Sequence, residues 1–210
     1  MRIAAVGDIH FAEDTRGTLR PHWSALHECA DVFLLCGDLT NLGTPAQARA
    51  LAEELDAVRV PVVAVLGNHD YHAGSPEAVR AALQDVGVTV LEGEHTTLEL
   101  DGRTLGIAGC KGFGGGFAGA CGHAFGEPEM KEFMYVTERA AGALDNAGAD
   151  LAIHGHEHSG AQKGITPRGI SVRNVAMPLI RRPFAIFTLD SARPAQFRES
   201  APAAAGAPGA

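Results

Sequence analysis

Three short segments of this 210-residue chain set polar, metal-capable side chains directly after a glycine: Gly7-Asp8-Ile9-His10, Gly37-Asp38-Leu39-Thr40-Asn41 and Gly67-Asn68-His69-Asp70. A fourth, Gly155-His156-Glu157-His158, adds two imidazoles. Carboxylates, imidazoles and an amide oxygen form a donor set that suits borderline divalent ions such as manganese, iron, cobalt, nickel or zinc. The Asp38 carboxylate has two oxygens with several lone pairs and could bridge two ions. The glycines let the backbone turn sharply, so that the side chains after them can point into one cleft. An Asp-x-His or His-x-His pair alone is a weak signal. Four such motifs in order, each closing an apolar run, are a strong one.

Those apolar runs are the elements that must position the motifs. Arg2–Gly7, Asp31–Cys36 and Pro61–Leu66 are strand-like, and Val88–Leu91 is a shorter strand. Helical patterns lie between them at Trp23–Ala30, Thr44–Val58 and Ser75–Val86, the last two opening with a Ser or Thr cap followed by proline. Continuous apolar strands alternating with helices predict βαβ units and a parallel sheet covered on both faces. Thr96–Leu100 and Arg103–Ala108 flank Asp101-Gly102, which suits a tight hairpin. Residues 109–126 are glycine-rich without a period, Glu127–Ala147 is one long helix, and Leu151–Ile153 is a short buried strand. Gly169–Ala176 and Phe184–Leu189 are expected to close the fold as antiparallel strands. The fold class is α/β, with two sheets packed face to face and helices outside. Residues 1–190 form one domain, and the Ala/Pro/Gly-rich residues 191–210 are expected to be a disordered tail.

Composition narrows the function further. The chain is 46% hydrophobic and 20% charged, which fits one globular domain. Its net charge of −8 disfavours a broad basic face for duplex nucleic acid. No apolar run approaches the ~18–20 residues that span a bilayer, so no membrane partner is expected. The start lacks the apolar core and cleavage site of a signal peptide. Cys29, Cys36, Cys110 and Cys121 form no CxxC pair, which fits reduced thiols and a cytoplasmic setting. Gly114–Gly119 matches GxGxxG formally but opens no helix after a strand, so a dinucleotide site is a poor reading. Lys111, Arg181 and Arg182 could touch phosphate groups, and Tyr71 and His72 could line the pocket. Exposed surface is the commoner fate of such residues.

From Arg2 to about Leu189, the four motifs and their order resemble the calcineurin-like metallophosphoesterases. The resemblance implies a two-sheet β-sandwich flanked by helices, in four α/β/β/α layers, with two divalent metal ions at the strand ends. Manganese would come first among those ions, with iron, zinc, cobalt or nickel as the others. It further implies that Asp8, His10, Asp38 and His158 hold one ion, and that Asp38, Asn68 and His156 hold the second. His69 would protonate or stabilise the leaving group, and Asp70 would orient His69. Such an enzyme hydrolyses a phosphomonoester or phosphodiester with hydroxide generated at the metals. A small phosphorylated substrate is the expected partner, with the oligomeric state left open.

One part of the family pattern is missing. A histidine in a short His-x-Pro-like loop after a strand normally lies between the third and fourth motifs and completes the second metal site. Here the segment looks shortened, and that site is expected to be weakened. His123, in the glycine-rich loop, is one candidate substitute; His154, on the strand before the fourth motif, reads better as a core histidine. The absence also motivates an alternative, a non-catalytic metal- or partner-binding module on the same fold.

Overall fold

The computed structural model describes residues 1–112, 116–117, 120–121, 123–146, 148–190 and 197–200. Thirteen strands occur among them: β1 (Arg2–Val6), β2 (Val32–Cys36), β3 (Val62–Val65), β4 (Thr89–Val90), β5 (Glu94–Leu100), β6 (Arg103–Gly109), β7 (Gly116–Phe117), β8 (Ala120–Cys121), β9 (Leu151–His154), β10 (Lys163–Ile165), β11 (Ser171–Asn174), β12 (Ala185–Leu189) and β13 (Phe197–Ser200). The helices are α1 (Arg20–Trp23), α2 (Leu26–Cys29), α3 (Pro45–Leu55), α4 (Pro76–Gln84), α5 (Pro128–Asn146) and α6 (Met177–Ile180).

The main sheet has the order β13-β12-β1-β2-β3-β4. Its β1–β4 half is parallel, as the unbroken apolar runs require, and β12 pairs antiparallel with β1. One large core surrounds it. Trp23, fully buried, meets Phe33 edge to face at 5.3 Å between ring centroids, and Phe33 meets Phe184 at 6.4 Å. A smaller sheet, β10-β11-β9, sits against this core through Leu151 and Ile153 of β9. Ala152 and Val172 form a separate cluster with Ile170. That period-two alternation gives the small sheet two apolar faces and makes the fold a mixed α/β structure with stacked sheets. The β5–β6 hairpin contributes Leu98, Leu100, Leu105 and Ile107 to the main core. It turns at Asp101 and Gly102, both at positive φ (51° and 72°).

Local expectations are met at α3, where Pro45 opens the helix and the Thr44 hydroxyl accepts from the Gln47 amide at 3.2 Å. At α4 proline again leads, but the Ser75 side chain makes no cap hydrogen bond. Three details differ from the sequence expectation. The helix expected over Trp23–Ala30 is two single turns. Ala25, at φ −92° and ψ 3°, breaks it so that Trp23 and Leu26 both enter the core. The strand within Gly169–Ala176, β11, runs parallel to β9 and antiparallel to the unforeseen β10. Within the expected tail, Phe197–Ser200 pairs with β12 as β13; residues 201–210 lie outside the described residues. Within the glycine-rich segment 109–126, residues 113–115, 118–119 and 122 also lie outside them. No helix among the described residues is long and apolar enough to cross a membrane.

Candidate metal centre

The motifs after β1, β2 and β3 and the one after β9 meet at the carboxyl edge of the main sheet, where ligand sites of open α/β sheets form. The first two continue side by side beyond their strands. Asp8 N donates to Gly37 O at 2.9 Å, His10 N to Asp38 O at 3.0 Å, and Phe11 N to Leu39 O at 2.9 Å. The fourth motif is drawn in by Asp8, whose carboxylate oxygens accept from His156 N at 2.9 and 2.7 Å. The third is tied to the second by His69 N donating to Asp38 Oδ1 at 2.9 Å.

Two groups of ligand atoms result, each with all members within 4.8 Å of one another: Asp8, His10 and His158; and His10, Asp38 and His69. His158 Nε2 lies 2.9 Å from Asp8 Oδ1 and 3.3 Å from His10 Nε2. Two imidazole nitrogens aimed at each other beside a carboxylate form a nitrogen–oxygen donor set that fits a borderline divalent ion. Asn68 Oδ1 lies 3.1 Å from His156 Nδ1, which joins those two expected ligands to each other. Asp8 and Asp38 are nearly sealed, at 1% and 4% exposure, whereas Asn68, His156 and His158 are exposed. The centre thus has a buried acidic floor and an imidazole rim open to solvent.

Its backbone is strained where the side chains converge. Asp8, His10, Asp38 and His156 adopt φ of 53°, 47°, 48° and 76°, a region that costs non-glycine residues of order 1 kcal/mol or more each. Only two other described non-glycine residues, Asp101 and Arg181, share it. A methyl group at Gly67 would collide with the Asp38 backbone nitrogen and carboxylate, and one at Gly155 with the Asp8 carboxylate. Both positions must therefore be glycine for steric reasons.

The His10 imidazole is held below its ordinary value by burial and then by the neighbouring His69, against the pull of Asp38 and Asp8. This favours the neutral ring, whose lone pair can bind a metal. The His69 ring stacks edge-on to His10 at 4.3 Å and lies tilted on His72 at 4.3 Å. Its Nδ1 is 2.8 Å from the Asn41 carbonyl oxygen. A carbonyl can only accept, so Nδ1 carries the proton in this contact and Nε2 faces away from it.

That contact corrects the expected role of Asp70. Its carboxylate is fully buried and accepts from Leu39 N at 3.1 Å, Thr40 N at 2.8 Å, Thr40 Oγ1 at 2.6 Å and Gly67 N at 2.9 Å. These bonds clamp the second motif to the third, and the Asn41 carbonyl takes the place at His69 expected of Asp70. Burial pushes the Asp70 carboxyl up, against those four hydrogen bonds. Asn174, which the sequence did not single out, is buried on β11. Its Nδ2 donates to Glu157 O at 2.7 Å and supports the loop carrying His156 and His158. Asn174 ends a strand that already holds a serine and an arginine, so its polar side chain gave no signal in the sequence. His123 is exposed and belongs to neither ligand group, and His154 Nδ1 lies 2.7 Å from Gly155 O.

Comparison with known proteins bears on the family and the fold. The family model described as calcineurin-like phosphoesterase matches residues 1–160. A probable cyclic nucleotide phosphodiesterase of Synechococcus sp. is 31% identical over 80 residues, covering 33% of this chain and 31% of that protein. The match thus spans about a third of that relative's length. Among solved structures, a novel archaeal phosphodiesterase superposes with a TM-score of 0.54 at 18% identity, covering 95% of this chain and 99% of its own. Another solved chain gives 0.58 at 12% identity, with coverage of 95% and 98%. At those identities the likeness is one of fold.

Proposed function

The chain belongs to the calcineurin-like phosphoesterase family, and from that premise we propose that it is a metal-dependent hydrolase of small phosphomonoesters or phosphodiesters, working in the cytoplasm. The observation that carries the proposal is the pair of overlapping ligand groups at the strand ends, sharing His10 and containing the buried carboxylates of Asp8 and Asp38. Asp8, His10, Asp38 and His158 would hold one divalent ion, and Asp38, Asn68 and His156 a second, with manganese the first candidate. Bound ions would supply charge neutralisation at the phosphoryl oxygens and a nucleophile deprotonated near neutral pH.

The chain's own groups do the rest. Hydrolysis forms a bond from a water oxygen to phosphorus and breaks the bond from phosphorus to the leaving oxygen. His69 delivers a proton to that leaving oxygen from Nε2, while Nδ1–H stays anchored on the Asn41 carbonyl. Asp70 acts at one remove, as the clamp that keeps the Asp38 and His69 loops in register. The exposed Asn68, His156 and His158 leave the rim open for a substrate phosphate.

Elemental analysis after equilibration with Mn²⁺ and desalting tests the ligand assignment. Retained manganese is expected in the wild type, to fall sharply in Asp38→Ala, and to be unchanged in His123→Ala. A folded wild-type protein that retains no divalent ion overturns it. A second reading, a binding module without catalysis, draws on the exposure of His123 outside both ligand groups. It predicts ion retention without turnover.

A further inference from the structure

We propose that Asn174 is a positioning residue of the metal centre, setting its affinity for a divalent ion by holding the Glu157 carbonyl between His156 and His158; the inference rests on the metal-dependent reading above. Those two imidazoles stand on the loop 155–162, which joins β9 to β10. From His156 to Ala161 every residue of that loop is exposed, so packing around its side chains does little to fix it. His156 moreover sits at φ 76°, a conformation that persists only where neighbouring structure enforces it.

The end of β11 supplies that enforcement. Val175 N donates to His154 O at 2.8 Å and Asn174 N to Gln162 O at 3.0 Å, which ties down both ends of the loop. The Asn174 side chain holds the middle, its Nδ2 donating to Glu157 O at 2.7 Å. Asn174 is 1% exposed, and its Oδ1 accepts from Ala176 N at 3.0 Å. Each half of the amide thus has a partner of the right kind; turned over, it would set oxygen against oxygen and N–H against N–H.

The same segment reaches the first motif. Gly7 N donates to Val175 O at 3.0 Å, and Met177 N donates to Gly7 O at 2.8 Å. Gly7 precedes Asp8, whose carboxylate accepts from the His156 amide and stands 2.9 Å from His158 Nε2. One buried side chain therefore bridges the segment that aligns Asp8 and the loop that carries the two imidazoles. An ion gains most from ligands already in place, because little freedom is then lost on binding. Without the Asn174 donor, the Glu157 carbonyl is free to turn to solvent and the imidazoles on either side lose their fixed spacing. Groups that orient metal ligands in this way are worth about 10–100-fold in affinity.

The test follows Mn²⁺ binding through the electron paramagnetic resonance signal of the free ion, with circular dichroism giving the folded fraction. Asn174→Leu matches the side chain in size but makes neither hydrogen bond. Asn174→Thr is a good strand former too short to reach Glu157 O, and decides the matter if the leucine variant does not fold. Val172→Ala is the control: buried on the same strand, it packs with Ala152 and Ile170 and pairs with Gly164 and Ala152, outside the loop. Either Asn174 variant should raise the dissociation constant per folded molecule about tenfold or more, whereas Val172→Ala should leave it within about twofold of the wild type. An unchanged constant in a folded Asn174 variant overturns the inference. So does an equal loss in Val172→Ala, which would mark general loosening of β11 as the cause. If the wild type binds no Mn²⁺, it is the metal-dependent reading itself that fails.

Discussion

His69 is the residue on which the proposed chemistry turns, and its surroundings give it a definite job. Nδ1 is committed to the Asn41 carbonyl, so the proton available for transfer is the one on Nε2. His69→Gln keeps a polar side chain of similar reach but removes the imidazole that would deliver the proton. It should lower kcat by roughly 10²–10⁴-fold while leaving retained manganese unchanged. Loss of the metal in that variant would instead make His69 a ligand, which its membership of the Asp38 group allows. At this scale the sequence was most informative for side chains and least for backbone. Asp8, His10, Asp38, His69 and His158 fall into two ligand groups and Asn68 meets His156, because glycine-linked Asp, Asn and His after apolar runs leave a clear signature. The Asn41 carbonyl leaves none, since every residue has one. The role expected of Asp70 therefore went to a main-chain oxygen, and its carboxylate went to clamping two loops.

Among the elements, β1 and β2 matter most, because they deliver Asp8, His10 and Asp38. Their starts are pinned together by Arg2, whose Nη2 lies 2.7 Å from Asp31 Oδ1 and whose amide donates to Asp31 Oδ2 at 2.7 Å. Burial alone would raise the Asp31 carboxyl, but the hydrogen bonds and charge of Arg2 hold it below its ordinary 3.8. A carboxyl with a depressed folded value adds stability that is complete above its unfolded value and is lost as pH falls through the folded one. Asp31→Asn should therefore cost about 1 kcal/mol at pH 7. Urea denaturation should show the gap between wild type and variant closing as pH drops below 3.8. A gap that stays constant into acid would show that the carboxylate charge is not what joins the two strands. The direction of β11 shows why element-level reasoning ran out. Lys163–Ile165 is short, exposed and interrupted by glycine, so it carries no strand period. Missing that one reversal inverted the expected direction of the strand after it. Periodicity locates a strand but does not orient it; the connection does.

For the whole molecule, the parallel sheet and the large core were legible because buried strands and amphipathic helices repeat over many residues. The placement of the small sheet was less so, because it depends on contacts distant in sequence, such as Gly7 N to Val175 O at 3.0 Å. The molecule places a strained, acidic, histidine-rimmed centre on a rigid apolar support, and strain of that kind persists only where surrounding structure enforces it. Metal-dependent phosphoester hydrolysis is the activity this arrangement supports best. The most direct test is turnover of bis-p-nitrophenyl phosphate with added Mn²⁺, with chelator, and in Asp38→Ala. Turnover that needs the ion, stops with chelator and is lost in the variant is the expected result. A folded wild-type protein inert with manganese, cobalt, nickel and zinc alike, or one whose turnover survives both chelator and Asp38→Ala, would contradict it.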